Sequence, residues 1–224
     1  MPKQNQDSVE VARIMLVDDH PLVRRGLSEL IESEAGLTVC DEVASAEEAL
    51  SMVREREPDL MIIDIGLKGI NGVELIKRIR TGHPHVKMLV SSMHDETLYA
   101  ERVLRAGAKG YVGKDEAPEI VLDAIRQVLS GGVFLSGAMK DRLVHGMIAG
   151  HEAGSQSPVS SLSDRELEVF TLIGRGLTTR EIAGRLHLSV KTIDTHREHI
   201  RAKLEVSSSA ELMRYAVQWV LENA

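Results

Sequence analysis

From residue 13 to residue 132 the sequence alternates short apolar runs with amphipathic segments, and this alternation constrains the fold more than any other feature. The runs have the length of buried strands, and the segments between them carry apolar residues three and four apart, as helices do. Repeated units of this length predict a parallel sheet covered by helices on both faces. The strands are predicted over 14–17, 37–43, 60–63, 86–90 and 110–112, and the helices over 21–32, 46–56, 72–80, 96–106 and 117–129.

The second half of the chain has a different pattern. A further helix is predicted over 136–149, and the small, polar stretch 150–161 has the composition of a flexible linker. Every periodic segment beyond it is helical, over 164–175, 178–186, 190–204 and 208–221. The tight connection at His187 and Leu188 joins two of these helices and predicts a helix-turn-helix. We therefore predict an α/β domain over 11–132, a partly helical linker over 133–160 and an all-α domain over 161–224.

Polar residues before several of these helices predict where the helices begin. Ser45 with Glu48 has the spacing of a capping box, and Ser163 with Glu166 repeats it before the helical half. The last predicted helix carries Leu212, Tyr215, Ala216 and Trp219 on one stripe. These signals predict a compact bundle in the second half.

Composition excludes several classes of protein. Aromatic residues make up 3% of the chain, too few for a platform on which nucleic-acid bases stack, and the net charge of -7 argues against indiscriminate nucleic-acid coating. Cys40 is the only cysteine, so no intrachain disulfide is expected, and its place in an apolar run predicts a small core residue. The chain shows neither a signal peptide nor a membrane span. We expect a cytoplasmic protein with no membrane contact.

Acidic residues follow two of the predicted strands. Asp18 and Asp19 come directly after the first strand, and Asp64 comes directly after the third. If the strands have the flavodoxin-like order, these carboxylates lie side by side at the carboxyl edge of the sheet. Three carboxylates in one pocket repel each other unless a cation shares the site, and Mg²⁺ suits oxygen ligands of this kind.

A hydroxyl pair and a lysine reach the same predicted edge. Ser91 and Ser92 close the fourth strand, and Lys114 follows the fifth. Taken singly, an aspartate after a strand is usually a turn former or helix cap, and a loop lysine is usually solvated. Their coincidence after four strands favours a site for phosphoryl transfer onto Asp64, which would become an acyl phosphate.

The first half resembles the receiver domain of two-component response regulators. The resemblance lies in VDDH at 17–20, IDIG at 63–66, GING at 69–72, SSMHD at 91–95, AGAKGY at 106–111 and KD at 114–115. It implies a sensor histidine kinase as partner, Asp64 as phosphoacceptor and Lys114 as the phosphate-pairing lysine. It also implies Ser92 and Tyr111 as switch residues, and Mg²⁺ held by Asp18, Asp19, Asp64 and the Gly66 carbonyl. Lys68 departs from the family pattern, which often has proline there.

The predicted helix 190–204 is locally basic in an acidic protein. Val190, Ile193, Ile200 and Leu204 form an apolar stripe, which leaves the polar residues facing outward. Between positions 191 and 203 the helix has four Lys or Arg residues and two acids. The second helix of a helix-turn-helix commonly enters the major groove of DNA, although a cluster of this size is also typical of a solvated helix face.

The second half resembles the LuxR/NarL/FixJ class of helix-turn-helix domains. The motifs are LSDRELEV at 162–169, GLTTREIA at 176–183 and LSVKTIDTH at 188–196. The resemblance implies phosphate contacts from Lys191, Thr192, His196 and Arg201, and places Asp194, Thr195, Arg197 and Glu198 near base edges. It also implies that the final helix pairs two subunits on a two-fold DNA site, the alternative being that this helix packs only within its own domain.

We therefore predict a phosphorylation-controlled transcription factor that is not an enzyme and binds promoter DNA as a homodimer. Phosphorylation would change domain contacts or dimerisation. Two other functions remain possible at this point. A Mg²⁺-dependent phosphohydrolase would often place a second acid two residues after the nucleophile, where this chain has Gly66. A phosphorylated adaptor would use its helical end to bind protein.

Overall fold

The computed structural model describes residues 11–93, 96–148 and 158–222, and within the second range it describes no side chains at 146–148. The first ten residues, the motif residues His94 and Asp95, the end of the predicted helix 136–149 and most of the predicted linker lie outside the described residues. The chain divides into two compact units. Among the described residues, the first comprises 11–93 together with Val103–Phe134, and the second comprises 96–102 together with 135–148 and 158–222.

The first unit is built on a parallel sheet in the order β2-β1-β3-β4-β5. Its strands are β1 Ala12–Val17, β2 Leu37–Val43, β3 Leu60–Ile63, β4 Lys87–Ser92 and β5 Gly110–Gly113. The predicted flavodoxin-like sheet is therefore confirmed. Strand β3 is buried along its whole length, as an apolar run covered on both faces should be. Strand β2 forms an edge and is mostly half-buried, so Cys40, predicted as a core residue, is only half-buried.

The helices of this unit follow the predicted alternation closely. They are α1 Pro21–Glu32, α2 Ala46–Arg56, α3 Gly72–Gly82, α4 Glu96–Ala106, which runs across the division between the units, and α5 Pro118–Leu129. The Ser45 side chain caps α2 by accepting the Glu48 N–H, as predicted. The Glu48 carboxylate, however, accepts the N–H of Ala44 and not that of Ser45, so the predicted capping box closes one residue earlier.

Strand register brings the predicted acidic residues to one level of the sheet. Val17 pairs with Ile63, and Ile63 pairs with Val90. The N–H of Asp64 donates to the carbonyl of Val17 at 2.9 Å, which ties the end of β3 to the end of β1. The strand order reverses direction between β1 and β3, and open sheets form ligand sites at such a point.

The second unit is helical. Its further elements are α6 Gly137–Ile148, a 3-10 helix at Pro158–Ser161, α7 Asp164–Gly174, α8 Thr179–Arg185, α9 Val190–Lys203 and α10 Ser209–Glu222. The 3-10 helix corrects the prediction of a flexible linker through residue 161. Val159 is buried there, and its carbonyl accepts the N–H of Leu162, because these apolar residues form part of the helical core. Arg102 donates to the same segment, at the carbonyls of Val159 and Leu162.

The helical core forms where α7 packs against α10. Phe170 is fully buried, with the ring of Trp219 5.5 Å away and the ring of Tyr215 5.9 Å away. Leu212 and Ala216 are buried on the same stripe, which confirms the predicted face of α10. Ser163 and Thr178 each close a full capping box before α7 and α8. Among the described helices, none is long and apolar enough to cross a bilayer.

Candidate functional site

Three carboxylates converge at the carboxyl edge of the sheet, as predicted. The side chains of Asp18 and Asp64 are only 5% and 4% exposed, and that of Asp19 is 10% exposed. Oxygen atoms of the three residues and a ring nitrogen of His20 all lie within 4.8 Å of one another. Buried carboxylates this close need positive charge beside them.

Lys114 provides positive charge inside this pocket. Its Nζ lies 2.6 Å from Oδ2 of Asp18 and 2.6 Å from Oδ2 of Asp64, and the lysine side chain is 5% exposed. The N–H of Lys114 donates to the carbonyl of Ser92 at 3.0 Å, so the ends of β4 and β5 hold the lysine in place. The ammonium therefore bridges the two most buried acids at the carboxyl edge of the sheet.

The remaining residues predicted for this site lie at the neighbouring strand ends. The N–H of Gly66 donates to Oδ1 of Asp64 at 3.1 Å, which orients the carboxylate. Ser92 and Tyr111 are both buried, and they sit on the paired strands β4 and β5, where Ser92 pairs with Gly113 and Tyr111 pairs with Val90. The structure thus brings Asp18, Asp19, Asp64, Gly66 and Lys114 together, with Ser92 and Tyr111 on the adjoining strands.

Three residues at this pocket had no predicted role. Nδ1 of His20 lies 2.9 Å from Oδ1 of Asp19 and 3.2 Å from Oδ1 of Asp18. Nζ of Lys68 lies 3.5 Å from Oδ2 of Asp19, and the Arg24 guanidinium donates to the backbone carbonyl of Asp18. His20 adjoins the two acids in sequence, which was an available signal. The other two depend on the fold of loops and helix α1.

The pocket suits a divalent cation. Asp19 Oδ1 is buried and has no hydrogen bond of acceptable geometry within the described part of the chain, even though the His20 ring is near it. An unsatisfied buried carboxylate oxygen is costly, and a bound ion would satisfy it. The donors are mainly carboxylate oxygens, which hard divalent ions prefer. These residues could therefore hold a metal ion.

Helix α9 presents the predicted DNA-contacting residues along one element. Lys191, Asp194, Thr195 and Glu198 are exposed, whereas Thr192, His196, Arg197 and Arg201 are half-buried. Ile193, Ile200 and Leu204 are all buried, as expected for members of the predicted apolar stripe. Val190 is 45% exposed and does not belong to that stripe, because it is the first residue of the helix.

The Ser189 side chain caps the first turn of α9. Ser189 accepts the N–H of Thr192, and the hydroxyls of these two residues lie 2.7 Å apart. Thr195 donates its hydroxyl back to the carbonyl of Lys191. Nε of Arg201 is buried and has no hydrogen-bond partner among the described residues.

Comparison with known proteins gives a matching family for each half of the chain. Residues 14–126 match the response regulator receiver domain, and residues 160–216 match the bacterial regulatory proteins of the luxR family. The transcriptional activator protein ExaE of Pseudomonas putida is 39% identical over 92% of this chain and 95% of its own length. This chain belongs to the LuxR-type response regulators of two-component systems.

Two further relatives cover almost the same length. The oxygen regulatory protein NreC of Staphylococcus carnosus is 36% identical over 92% of this chain and 97% of its own. The structure of RcsB from Salmonella enterica serovar Typhimurium, bound to promoter P1flhDC with the phosphomimetic BeF3-, is 26% identical. That comparison covers 93% of this chain and 99% of the RcsB chain, with a TM-score of 0.61.

Membership in this family decides between the functions that the sequence left open. Response regulators of this type are DNA-binding transcriptional regulators and not enzymes, so the alternative function as a phosphohydrolase is excluded. The LuxR-type domain likewise favours DNA over a protein ligand for the helical end. A sensor kinase is the implied partner of the receiver domain, and promoter DNA is the implied partner of the second domain.

One basic residue of the response regulator's α9 also contacts the core: the Lys203 side chain is 40% exposed, in line with its predicted outward position, but its amine pairs with an acid of α7. Nζ of Lys203 lies 2.6 Å from Oε2 of Glu166, a buried residue of α7. Burial acts to raise the pKa of Glu166, but the hydrogen bonds from Lys203 and from Ser163 outweigh it and hold that pKa below its usual value. Lys203 therefore ties α9 to the core.

His196 is half-buried beside this pair. Burial first, and the nearby charge of Arg165 second, lower the pKa of His196 below its usual value. Burial of the ring therefore favours its neutral form in the protein without DNA.

Proposed function

We propose that Asp64 of this response regulator accepts a phosphoryl group from a sensor histidine kinase in a Mg²⁺-dependent reaction, and that this modification controls promoter binding through α9. The observation that carries the proposal is the position of Asp64. Its carboxylate ends a buried strand, receives the Lys114 ammonium at 2.6 Å and shares its pocket with Asp18 and Asp19.

The chemistry follows from these residues. One carboxylate oxygen of Asp64 forms a bond to phosphorus as the bond from phosphorus to the kinase histidine breaks, which gives an acyl phosphate. Gly66 N–H orients the attacking carboxylate, and Lys114 neutralises charge on the transferred group. Asp18, Asp19, Asp64 and the Gly66 carbonyl would hold Mg²⁺, which supplies further charge neutralisation when bound.

The surface beside the pocket suits a kinase. Leu22 on α1 is 86% exposed, and a cavity of about 270 Å³ lies between α1 and the beginning of α5. Leu27, Leu30 and Val121 line this cavity together with Lys114. An exposed apolar surface next to an acceptor side chain is the kind of patch on which a partner helix docks.

The signal would pass from Asp64 through the ends of β4 and β5. Ser92 would move to bind the phosphoryl group through its hydroxyl, and the Tyr111 side chain would change position in response. Both residues lie on the strands whose ends hold Lys114. The result would be a change in domain contacts or in dimerisation. We propose the domain bounds 11–132 and 161–224, joined by a partly helical linker over 133–160.

DNA binding would use α9 in the major groove. Lys191, Thr192, His196 and Arg201 would contact phosphates, and Asp194, Thr195, Arg197 and Glu198 would lie near base edges. The related RcsB, at 26% identity, binds promoter DNA in the presence of a phosphomimetic, which supports both halves of the proposal. We propose that the final helix, α10, pairs two subunits on the promoter, and DNA as partner favours a cytoplasmic location.

Phosphorylation of the full-length chain by acetyl phosphate and Mg²⁺ tests the acceptor. Intact-mass measurement should show the gain of one phosphoryl group, and chelating the metal should abolish it. Asp64→Asn should show no gain, because the amide is not a nucleophile of this kind. Asp123→Asn, at an exposed aspartate on α5, is the matched control and should be phosphorylated normally. A mass gain that persists in Asp64→Asn would overturn the assignment.

A further inference from the structure

We infer that His20 is a fifth donor to the cation at the Asp64 pocket, and that its imidazole makes the site prefer ions such as Mn²⁺ over Mg²⁺. The inference rests on the proposed metal site and adds a residue to it. An all-oxygen site favours hard ions, whereas a nitrogen donor shifts the preference toward transition metals.

The distances from the His20 ring nitrogen to the neighbouring carboxylate oxygens are those expected between two ligand atoms of one ion. Its Nδ1 is 2.9 Å from Oδ1 of Asp19, 3.2 Å from Oδ1 of Asp18 and 3.9 Å from Oδ2 of Asp64. Donor atoms at about 2.1 Å from one ion, set at right angles, lie roughly 3 Å apart. The two shortest distances fit that spacing, so His20 can join the coordination shell with little movement.

Local structure places the imidazole there and leaves it available. His20 precedes α1 as its N-cap residue, but its side chain makes no capping hydrogen bond, and Pro21 begins the helix. The N–H of His20 donates to Oδ1 of Asp18 at 2.8 Å, which fixes the backbone beside the acids. The ring is therefore free of the helix terminus and directed to the carboxylates.

The buried oxygen of Asp19 is an independent sign of a missing ligand on this side. Asp19 Oδ1 has no hydrogen bond of acceptable geometry within the described residues, and the side chain is nine-tenths buried. Lys114 contacts the Oδ2 atoms of Asp18 and Asp64, whereas His20 approaches the Oδ1 atoms of Asp18 and Asp19. A cation between His20 and these Oδ1 atoms would satisfy the oxygen that Lys114 does not reach.

Ligation requires a particular tautomer of the ring. Nδ1 must present its lone pair to the ion, with the proton on Nε2, whereas a ring that only hydrogen-bonds to the acids would carry the proton on Nδ1. Direct detection of a nitrogen bound to the metal separates these two roles. Mn²⁺ is suitable for this purpose because it replaces Mg²⁺ at oxygen-rich sites and is paramagnetic.

Pulsed EPR of Mn²⁺ bound to the full-length chain is the experiment. The unmodified protein should show coupling to a directly bound nitrogen, and His20→Ala should lose it and bind Mn²⁺ about tenfold more weakly, with Mg²⁺ affinity changed by less than about threefold. His20→Asn keeps a good helix-capping residue and should retain Mg²⁺ binding without the nitrogen signal. His85→Ala, at an exposed histidine of the same unit, should leave the coupling and both affinities unchanged.

The remaining outcomes distinguish this inference from the proposed function. Mn²⁺ bound without nitrogen coupling, or coupling that survives in His20→Ala and His20→Asn, overturns the role of His20 and leaves the metal site standing. Failure of the unmodified chain to bind Mn²⁺ and Mg²⁺ overturns the metal site as well. Phosphorylation of Asp64 by acetyl phosphate, measured separately, is unaffected by the first of these results.

Discussion

At the scale of single residues, buried acids have a chemical role in the first half of the chain and a stabilising role in the second. Asp64 and Asp18 share their pocket with a lysine and suit a reactive site. Glu166 is just as buried, but Lys203 and the N–H of Ser163 satisfy its carboxylate at 2.6 and 2.7 Å. We therefore assign Glu166 to the stability of the helical domain and not to its chemistry.

Glu166→Gln should lower the free energy of unfolding of the helical domain by about 1–2 kcal/mol at neutral pH, because a neutral amide bonds Lys203 less strongly. Trp219 is the only tryptophan and packs on Phe170, so its fluorescence follows this domain in urea titrations. Glu198→Gln, at an exposed acid of α9, is the control and should change stability by less than about 0.5 kcal/mol.

The contribution of Glu166 should depend on pH in a defined direction. Its pKa in the folded protein lies below the ordinary value of 4.5, so the charged form is favoured by folding. The stability it adds is complete above the ordinary pKa and is lost as pH falls through the lower, folded-state pKa. The difference between the unmodified chain and Glu166→Gln should therefore shrink in acid. A difference that stays constant to below that pH would contradict this role.

At the scale of elements, the beginning of α3 controls the loop that carries Asp64. The N–H of Gly72 donates to the carbonyl of Ile65 at 3.0 Å, so the helix turns back directly onto the end of β3. A Cβ on Gly72 would fall on the backbone carbonyl oxygen of Asp64 and within 2.8 Å of the Ile65 Cα. Only a residue without a side chain permits this close approach.

Gly72→Ala should therefore destabilise the receiver domain by about 1–3 kcal/mol and slow phosphorylation of Asp64, because the loop must shift to admit the methyl group. Hydrogen exchange in β3, together with the rate of mass gain from acetyl phosphate, measures both effects. In Gly26→Ala the new methyl group meets nothing within 4 Å, and alanine in a helix interior should stabilise by about 0.5–1 kcal/mol. Equal behaviour of the two variants would refute the steric account.

At the scale of the whole molecule, charge is distributed unevenly. The chain carries a net charge of -7, yet exposed Lys191 and half-buried Arg197 and Arg201 lie together on α9. We therefore expect DNA binding to depend on this basic part of α9, because a protein of net negative charge attracts phosphate through a local basic surface. The slope of log affinity against log salt should then reflect the number of phosphate contacts that α9 makes.

Lys191→Ala should reduce the slope of log affinity against log salt by about one, because one phosphate contact is lost. The measurement is a fluorescence-anisotropy titration of a promoter fragment that the protein selects from genomic DNA, repeated over a range of salt. Lys109→Ala removes the same charge from an exposed position in the receiver domain and should leave the slope unchanged. If both substitutions lower the slope equally, α9 is not the contacting surface.

The sequence alone determined which elements form and in what order. Strands and helices follow from chain-local periodicity, and Leu60–Ile63, Pro21–Glu32 and Ala46–Arg56 begin and end where the pattern predicts. The edge of the sheet on which Asp18, Asp64 and Lys114 meet also follows, because parallel strands send their carboxyl ends to the same side. The acid pocket and the basic helix were therefore predictable.

Only the tertiary structure decided which polar side chains contact each other across long stretches of sequence. Lys203 is an exposed residue of α9, as the pattern predicts, and only packing placed its Nζ 2.6 Å from buried Glu166, thirty-seven positions earlier in the chain. Val159, at the end of a polar stretch, is buried for the same reason. His20 adjoins Asp18 and Asp19 in sequence, but it lies near Asp64 only because β1 and β3 pair in register. Local patterns fix an element, but distances between residues far apart in sequence exist only once the elements pack.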